Sequence, residues 1–350
     1  MQCLSPRLVG FKPDGKSIAF SPKQFSKEYA TFKIPCSKCR ACRLENARQT
    51  AVRCVHEASL YENNSFVTLT YSEEHLKSDK LIYSDFQKFI KDLRNYRFEE
   101  LLGKLYPNIS HREGRREQWK LLTKETRNAL YDTIRISVFC AGEYGDKGKR
   151  PHWHALIFNW QPNDLVHKYS TPRGDKVYSS AVLNSLWPMG FTELGSVTFE
   201  SASYCARYAT KKLYHGKDGT HPYEPISRRS AKNAIGKKWV QNNWRDCFET
   251  GYLVFKKGTE YIQCGIPRYY EKWLKKNKPD AWKKYVTEVK PKIIEKAIQK
   301  DETHSLEEKK ANFLRRSQMG LHYTPQITQA EHKSIIMEQK AAQFAQYLKL

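Results

Sequence analysis

Two alternating runs separated by a glycine-containing break do most to limit how this chain can fold. Thr133 to Cys140 alternates as a strand, with Ile134, Ile136 and Val138 facing one way. Gly142 to Pro151 reads as a turn and His152 to Asn159 as the returning strand. Residues i and i+2 of a strand point the same way, so His152 and His154 present two imidazoles on one face while Trp153 turns into the opposite layer. Glu143 lies nine residues before His152, and a hairpin of that length returns its carboxylate beside the histidines. Two imidazoles and a carboxylate, with the remaining positions open, suit a catalytic divalent ion. Mg²⁺ or Mn²⁺ fits that use, and the nitrogens would tolerate zinc. A lone His-x-His more often means two ordinary surface or core histidines; the nearby acid and a pair of tyrosines turn that balance.

Those tyrosines lie downstream. Ser201 starts a helix expected to end near Tyr214, before Gly216. At about 100° per residue, Tyr208 sits roughly 40° from Tyr204, and Lys211 falls near the same line. Two phenols and an ammonium then share a face. A phenol has a pKa near 10, so it attacks poorly until a cation or base assists it. Lys211 would lower that cost and hold a phosphate oxygen, while the metal would polarise a scissile phosphate. The products would be a 5′-phosphotyrosine and a free 3′-hydroxyl, an exchange that conserves a phosphoester bond. A buried aromatic pair is the plainer explanation of Tyr204 and Tyr208 taken by themselves. No Gly-x4-Gly-Lys-Ser/Thr loop is present, which argues against a fused helicase.

Charge says what such chemistry would act on. Lys and Arg number 61 against 37 Asp and Glu, a net charge of +24. That excess favours a polyanion, nucleic acid ahead of a membrane surface. No apolar run is long enough to span a bilayer, and the N-terminus lacks the apolar segment of a secretory signal. His111 to Arg127 carries Arg112, Arg115 and Arg116 and reads either as a phosphate-touching insertion or as a solvated helical face.

Of nine cysteines, three crowd into Cys36-x2-Cys39-x2-Cys42, and Cys3 can return as a fourth. Without an export signal, that spacing suggests thiolate ligands in a reducing cytoplasm before disulfides. A closed four-cysteine site would hold structural zinc. An iron–sulfur cluster accepts the same spacing, though its usual trailing Cys-Pro is missing. Three reduced, unligated cysteines at a helix start remain the other reading.

Elsewhere the pattern is coarser. Residues 1 to 35 read as irregular structure or short strands, and Leu44 to Tyr61 as an amphipathic helix. Phe66 to Tyr71 is a strand with Phe66, Thr68 and Thr70 on one face. Ser84 to Leu102 is a helix capped by Ser84, with Phe86, Phe89, Ile90 and Leu93 inward. Asp164 to Met189 is loop-rich with a helix at Ser180 to Trp187, and Val197 to Phe199 is a short strand. His215 to Trp239 is a basic loop, Gly251 to Gly265 a hairpin, Pro267 to Lys276 a helix, and the chain from Pro279 a charged, partly helical tail. The implied divisions are an N-terminal segment (1–60), an endonuclease and strand-transfer domain (61–278) and the tail (279–350).

Three of these stretches, in order, resemble a known family. Phe66-Val67-Thr68-Leu69-Thr70-Tyr71, Gly142-Glu143-Tyr144-Gly145 with Arg150-Pro151-His152-Trp153-His154, and Tyr204-x3-Tyr208-x2-Lys211 look like the motifs of rolling-circle replication initiators of the microviruses, especially the gokushoviruses. These belong to the His-hydrophobic-His endonuclease superfamily. Cys3 with the cysteine cluster, and Ser227-Arg228-Arg229 before Ile235-Gly236, are similar to the same group. Trp153 is a bulkier middle residue than usual, and Ala231 to Ala234 stands where a compact Pro-Gly is expected. The resemblance implies an α+β fold: a central antiparallel sheet of about five strands with flanking helices, related to the RNA-recognition type. It implies an enzyme that nicks the origin of the circular duplex, stays on the 5′ end, and later circularises the displaced strand. The implied partners are origin DNA, double- and single-stranded, contacted by Arg112, Arg115, Arg116, Arg228 and Arg229, together with host replication helicase and polymerase in the bacterial cytoplasm. Alternatives are a plasmid relaxase or transposase of the superfamily, or a non-catalytic zinc-containing protein that coats single strands.

Overall fold

A computed structural model describes residues 3, 5–15, 17–145, 150–172, 174–211, 226–257, 260–297 and 299. In chain order, β1 (Arg7–Phe11), β2 (Ile18–Ala19) and β3 (Phe32–Ile34) precede α1 (Arg40–Ala58). Strand β4 (Asn64–Tyr71) leads to α2 (Tyr83–Leu105), α3 (Arg112–Leu121) and α4 (Lys124–Ile134). Then come β5 (Ser137–Tyr144), β6 (Pro151–Phe158), β7 (Val166–Ser170), β8 (Lys176–Ser179), α5 (Ala181–Leu186), β9 (Gly190–Gly195) and α6 (Phe199–Lys211). The described elements end with β10 (Ile226–Arg229), α7 (Lys237–Thr250), β11 (Tyr252–Lys257), β12 (Glu260–Gly265), α8 (Arg268–Asn277) and α9 (Pro279–Lys284). The chain divides into two compact units, one from residues 1–46, 244–256 and 260–350, the other from 47–243 and 257–259.

The second unit is built on a seven-stranded sheet in the order β10-β5-β6-β4-β9-β8-β7, antiparallel throughout. It is wider than the five strands the resemblance implies. The added pair, β7 and β8, lies where only loop was expected; β7 is exposed along its whole length and so has no apolar alternation to betray it. Strand β9 replaces the one expected at Val197 to Phe199, and Phe199 instead opens α6. Strand β10 occupies part of the expected basic loop. Thr133 and Ile134 end α4 rather than begin β5. The Asn159 amide donates to the carbonyls of Thr133 and Arg135 and ties off that helix end. Ser84 is not the cap of α2, because the helix begins one residue earlier and Ile82 takes the cap position.

Each face of the sheet buries its own core. One face carries Leu69, Val138, Cys140, Trp153 and Ile157 and packs on Phe86, Phe89, Ile90 and Leu93 of α2 and Leu183 and Trp187 near α5. The other carries Phe139, Leu156 and Phe158 under Ala51 and Cys54 of α1 and Ala202, Cys205 and Ala206 of α6. Small residues on α1 and α6 let those helices lie close to the sheet. Trp153 fits because its register partner is Gly142, where an added Cβ would meet the indole at 2.7 Å and Leu81 at 2.9 Å. The indole N–H then donates to the Tyr71 hydroxyl, which donates to Asp85.

In the first unit, β2-β1-β3 forms a small sheet and β11-β12 a two-stranded one, at the site of the expected hairpin. Phe248 meets Tyr285 edge to face at 4.9 Å, and Glu271 binds both the Tyr285 hydroxyl and Lys290. Residues 301–350 of the expected tail lie outside the described residues.

Candidate active site

Pairing of β5 with β6 puts Glu143 directly opposite His152, and Ala141 opposite His154. Directly opposed residues share a face, so all three ligands rise from the side covered by α1 and α6. His152 Nε2 and His154 Nε2 lie 2.9 and 2.8 Å from the same oxygen, Glu143 Oε1. The expected triad therefore forms, and its three ligand atoms can hold a metal ion. His152 Nδ1 faces the Arg150 carbonyl at 3.1 Å. A carbonyl only accepts, so that nitrogen carries the proton, and a neutral His152 aims its Nε2 lone pair at a carboxylate. Two acceptors at this distance need a positive charge between or upon them, either an added proton or a metal ion. Burial would raise the Glu143 carboxyl, but hydrogen bonds from His152 and His154 outweigh it and hold the group below the usual range.

His154 is braced further by Thr68 on β4, whose hydroxyl lies 3.0 Å from Nδ1, and by Phe66, stacked at 5.7 Å. The site opens toward His152, whose side chain is 16% exposed against 7% for His154 and 8% for Glu143.

Helix α6 brings Tyr204 to this cluster. Its hydroxyl is 3.4 Å from Glu143 Oε1 and 3.5 Å from His154 Nε2, and its ring stands edge-on to His154 at 5.0 Å. Tyr208 and Lys211 are carried by the same helix, one and nearly two turns on; their side chains lie outside the described residues.

The basic residues distribute less simply. Arg112 and Arg116 both bind Glu99 of α2, and Arg115 donates to the carbonyls of Ile109 and Ser110. Arg229 pairs with Phe139 in register and so lies on the triad face, whereas Arg228 pairs with Cys140 and lies over Tyr83 on the other. The turn at 231–236 is held from α1: Arg53 donates twice to the Ile235 carbonyl, and the Gly236 N–H donates to Glu57. Gly236 has φ +76°, a conformation that glycine adopts freely.

The four expected cysteines also converge, within the first unit. Cys3 and Cys39 sulfurs are 3.8 Å apart, Cys36 and Cys42 sulfurs 4.0 Å. Zinc with bonds of about 2.3 Å spaces tetrahedral sulfurs by roughly 3.8 Å. The N–H groups of Cys36 and Cys39 point at Cys3 and Cys36 sulfurs, both at 3.2 Å. The Cys39 N–H brings Cys36 down to about 6, while burial pushes Cys42 up to about 12. The donor set fits a metal ion.

Sequence reasoning missed Thr68, which sits three strand residues from Tyr71 and shows its role only once β4 is in register with His154. It also missed Phe191. That residue pairs with Thr70, itself opposite His152, and is 69% exposed on the triad face.

Comparison with known proteins agrees with this geometry. "Replication-associated protein VP4" of Bdellovibrio phage phiMH2K is 43% identical over 350 residues, the whole of both chains. The chain belongs to the microvirus replication-associated proteins. The family model for replication-associated proteins of the ORF2 type matches residues 64–213, the stretch from β4 through α6. "Replication-associated protein ORF2" of Spiroplasma virus 4 is 28% identical over 319 residues, 85% of this chain and 88% of its own. "Replication-associated protein ORF4" of Chlamydia phage 1 is 30% identical over 263 residues, 73% of this chain and 55% of its own. No solved structure matches. Family membership places the chain in phage DNA replication. Among the described residues no helix is long and apolar enough to cross a membrane.

Proposed function

We propose that this protein initiates rolling-circle replication by nicking the origin of the circular duplex. The observation that carries the reading is the Tyr204 hydroxyl 3.4 Å from Glu143 Oε1, within a triad of convergent ligands. The Tyr204 oxygen attacks a backbone phosphorus in line. The new O–P bond joins the protein to the 5′ phosphate, the bond to the 3′ oxygen breaks, and that oxygen leaves as a hydroxyl that primes synthesis. The phenolic proton passes first toward Glu143, its hydrogen-bond acceptor here. Tyr208 serves the second transfer, which cleaves and circularises the displaced strand, and Lys211 steadies phosphate charge.

Glu143, His152 and His154 hold the divalent ion, which supplies Lewis-acid polarisation of the phosphate when bound. Ligand spacings of 2.8 and 2.9 Å favour Mg²⁺ or Mn²⁺, since an octahedral ion with bonds of about 2.1 Å spaces neighbours by roughly 3.0 Å. Cys3, Cys36, Cys39 and Cys42 hold zinc as a structural clamp. Arg229 serves the strand on the triad face. Arg112 and Arg116 together exceed the single charge of Glu99, and they, Arg115 and Arg228 contact phosphates outside the cleft. Host helicase and polymerase would act with the protein in the bacterial cytoplasm.

Incubation of the protein with labelled supercoiled origin DNA and Mg²⁺ or Mn²⁺ tests the reading. The expected products are an open circle and a protein band carrying DNA. A non-catalytic single-strand binder gives neither.

A further inference from the structure

Helices α2, α3 and α4 enclose a hollow of about 380 Å³ that takes no part in the chemistry above. Its walls are the aromatic rings of Phe98, Trp119 and Tyr131, and its rim carries Arg94, Lys124 and Arg127. Phe98 meets Trp119 edge to face at 5.1 Å and Tyr131 at 6.4 Å. Arg94 and Phe98 stand one turn apart on α2, while Lys124, Arg127 and Tyr131 follow the helical repeat along one side of α4. Two amides, Asn95 and Asn128, complete the lining, and no carboxylate does.

The charges here differ from their neighbours. Arg97 is paired with Glu100, Arg112 and Arg116 with Glu99, and Arg135 with Asp132. Among the described residues none of Arg94, Lys124 and Arg127 has an ion-pair partner. Three like charges around one aromatic hollow repel each other until an anion joins them. Rings with adjacent cations and amides match an unpaired nucleotide: a base to stack, a base edge to bond and phosphates to neutralise.

We propose that this hollow is a second binding site for single-stranded DNA, with one unpaired base among Phe98, Trp119 and Tyr131 and its flanking phosphates on Arg94, Lys124 and Arg127. The site is separate from the triad. Helix α4 enters the Ser137 end of β5, and Glu143 lies six residues along that strand, roughly 20 Å away at about 3.3 Å per residue. Helix α2 also packs on the sheet face opposite Glu143. The site would grip a strand several nucleotides away from the scissile phosphate. The choice of DNA as the polyanion rests on the replication reading, but the binding itself needs no cleavage.

The test uses the full-length protein in EDTA with fluorescein-labelled oligothymidylate, read by anisotropy over a range of salt. The variant Arg94→Gln/Lys124→Gln/Arg127→Gln changes rim side chains only, and its melting curve checks that it is folded. It should bind at least tenfold more weakly. Its slope of log affinity against log salt should fall by about 2, at about 0.7 per phosphate contact on a single strand. Trp119→Leu should weaken binding about tenfold with the slope unchanged, and Trp119→Phe should recover most of the loss. An unchanged slope in the triple variant overturns the proposal. So does polyglutamate competing as well as unlabelled oligothymidylate, since that would mean charge alone fills the hollow. Because no metal is present, either result leaves the nicking reading untouched, and loss of nicking would leave this result untouched.

Discussion

The four-thiol cluster and the Glu143–His152–His154 triad are both convergent ligand sets, and they differ in what they leave open. The cysteines come from a tight loop plus one returning residue, and their sulfur spacings match a closed tetrahedron. The triad stands on two paired strands, fills only part of an ion's shell, and has Tyr204 at its edge. A closed site holds chain segments together; an open one can take a phosphate. Position follows the same logic, since rigid strands fix ligands for chemistry more closely than a loop does.

Metal removal should separate the two most sharply. Brief EDTA treatment should stop cleavage, and added Mg²⁺ should restore it, while zinc stays with the cysteines. His152→Ala should lower the cleavage rate by about 10³-fold or more yet keep salt-sensitive DNA binding, measured by filter retention. Equal loss of both would mean the triad is a structural site like the other. Cys39→Ser should act through folding. Metal analysis should show zinc lost, and the first unit should be destabilised by several kcal/mol. Full zinc content in that variant would break the comparison from the other side.

The triad was legible in sequence because strand alternation alone puts His152 and His154 on one face, and a short return brings Glu143 to them. Thr68, by contrast, lies 86 residues from the histidine it braces, and only the pairing of distant strands sets that contact. The helix carrying Tyr204 was legible from its spacing, but its seat beside Glu143 depends on Ala202, Cys205 and Ala206 packing closely on the sheet. Arg228 and Arg229 read as one basic pair until β10 sends them to opposite faces. Trp153 looked like a departure, and Gly142 across the ladder accounts for it.

Smaller effects sharpen the comparison further. Gly142→Ala forces a Cβ to within 2.7 Å of the Trp153 ring and should cost about 1–3 kcal/mol in denaturant unfolding, without touching zinc content. Phe191→Ala should weaken binding of a short origin oligonucleotide about fivefold, the low end for one stacked base. An unchanged affinity would remove the open sheet face from the DNA path. Glu143 should leave the smallest mark, visible in metal-free protein. Its carboxyl lies below the ordinary range in the folded state, so its stabilisation is present above the ordinary carboxyl pKa and lost as pH falls through the lowered value. The melting difference between wild type and Glu143→Gln should therefore shrink on acidification; a difference that grows would reverse the sign.

The most direct measurement is to trap the protein–DNA adduct formed in Mg²⁺ or Mn²⁺, digest it and identify the linked residue by mass spectrometry. The account predicts a 5′-phosphodiester to Tyr204 or Tyr208, and no adduct once both are phenylalanine. An adduct on any residue outside α6, or one that persists in the double variant, would contradict it.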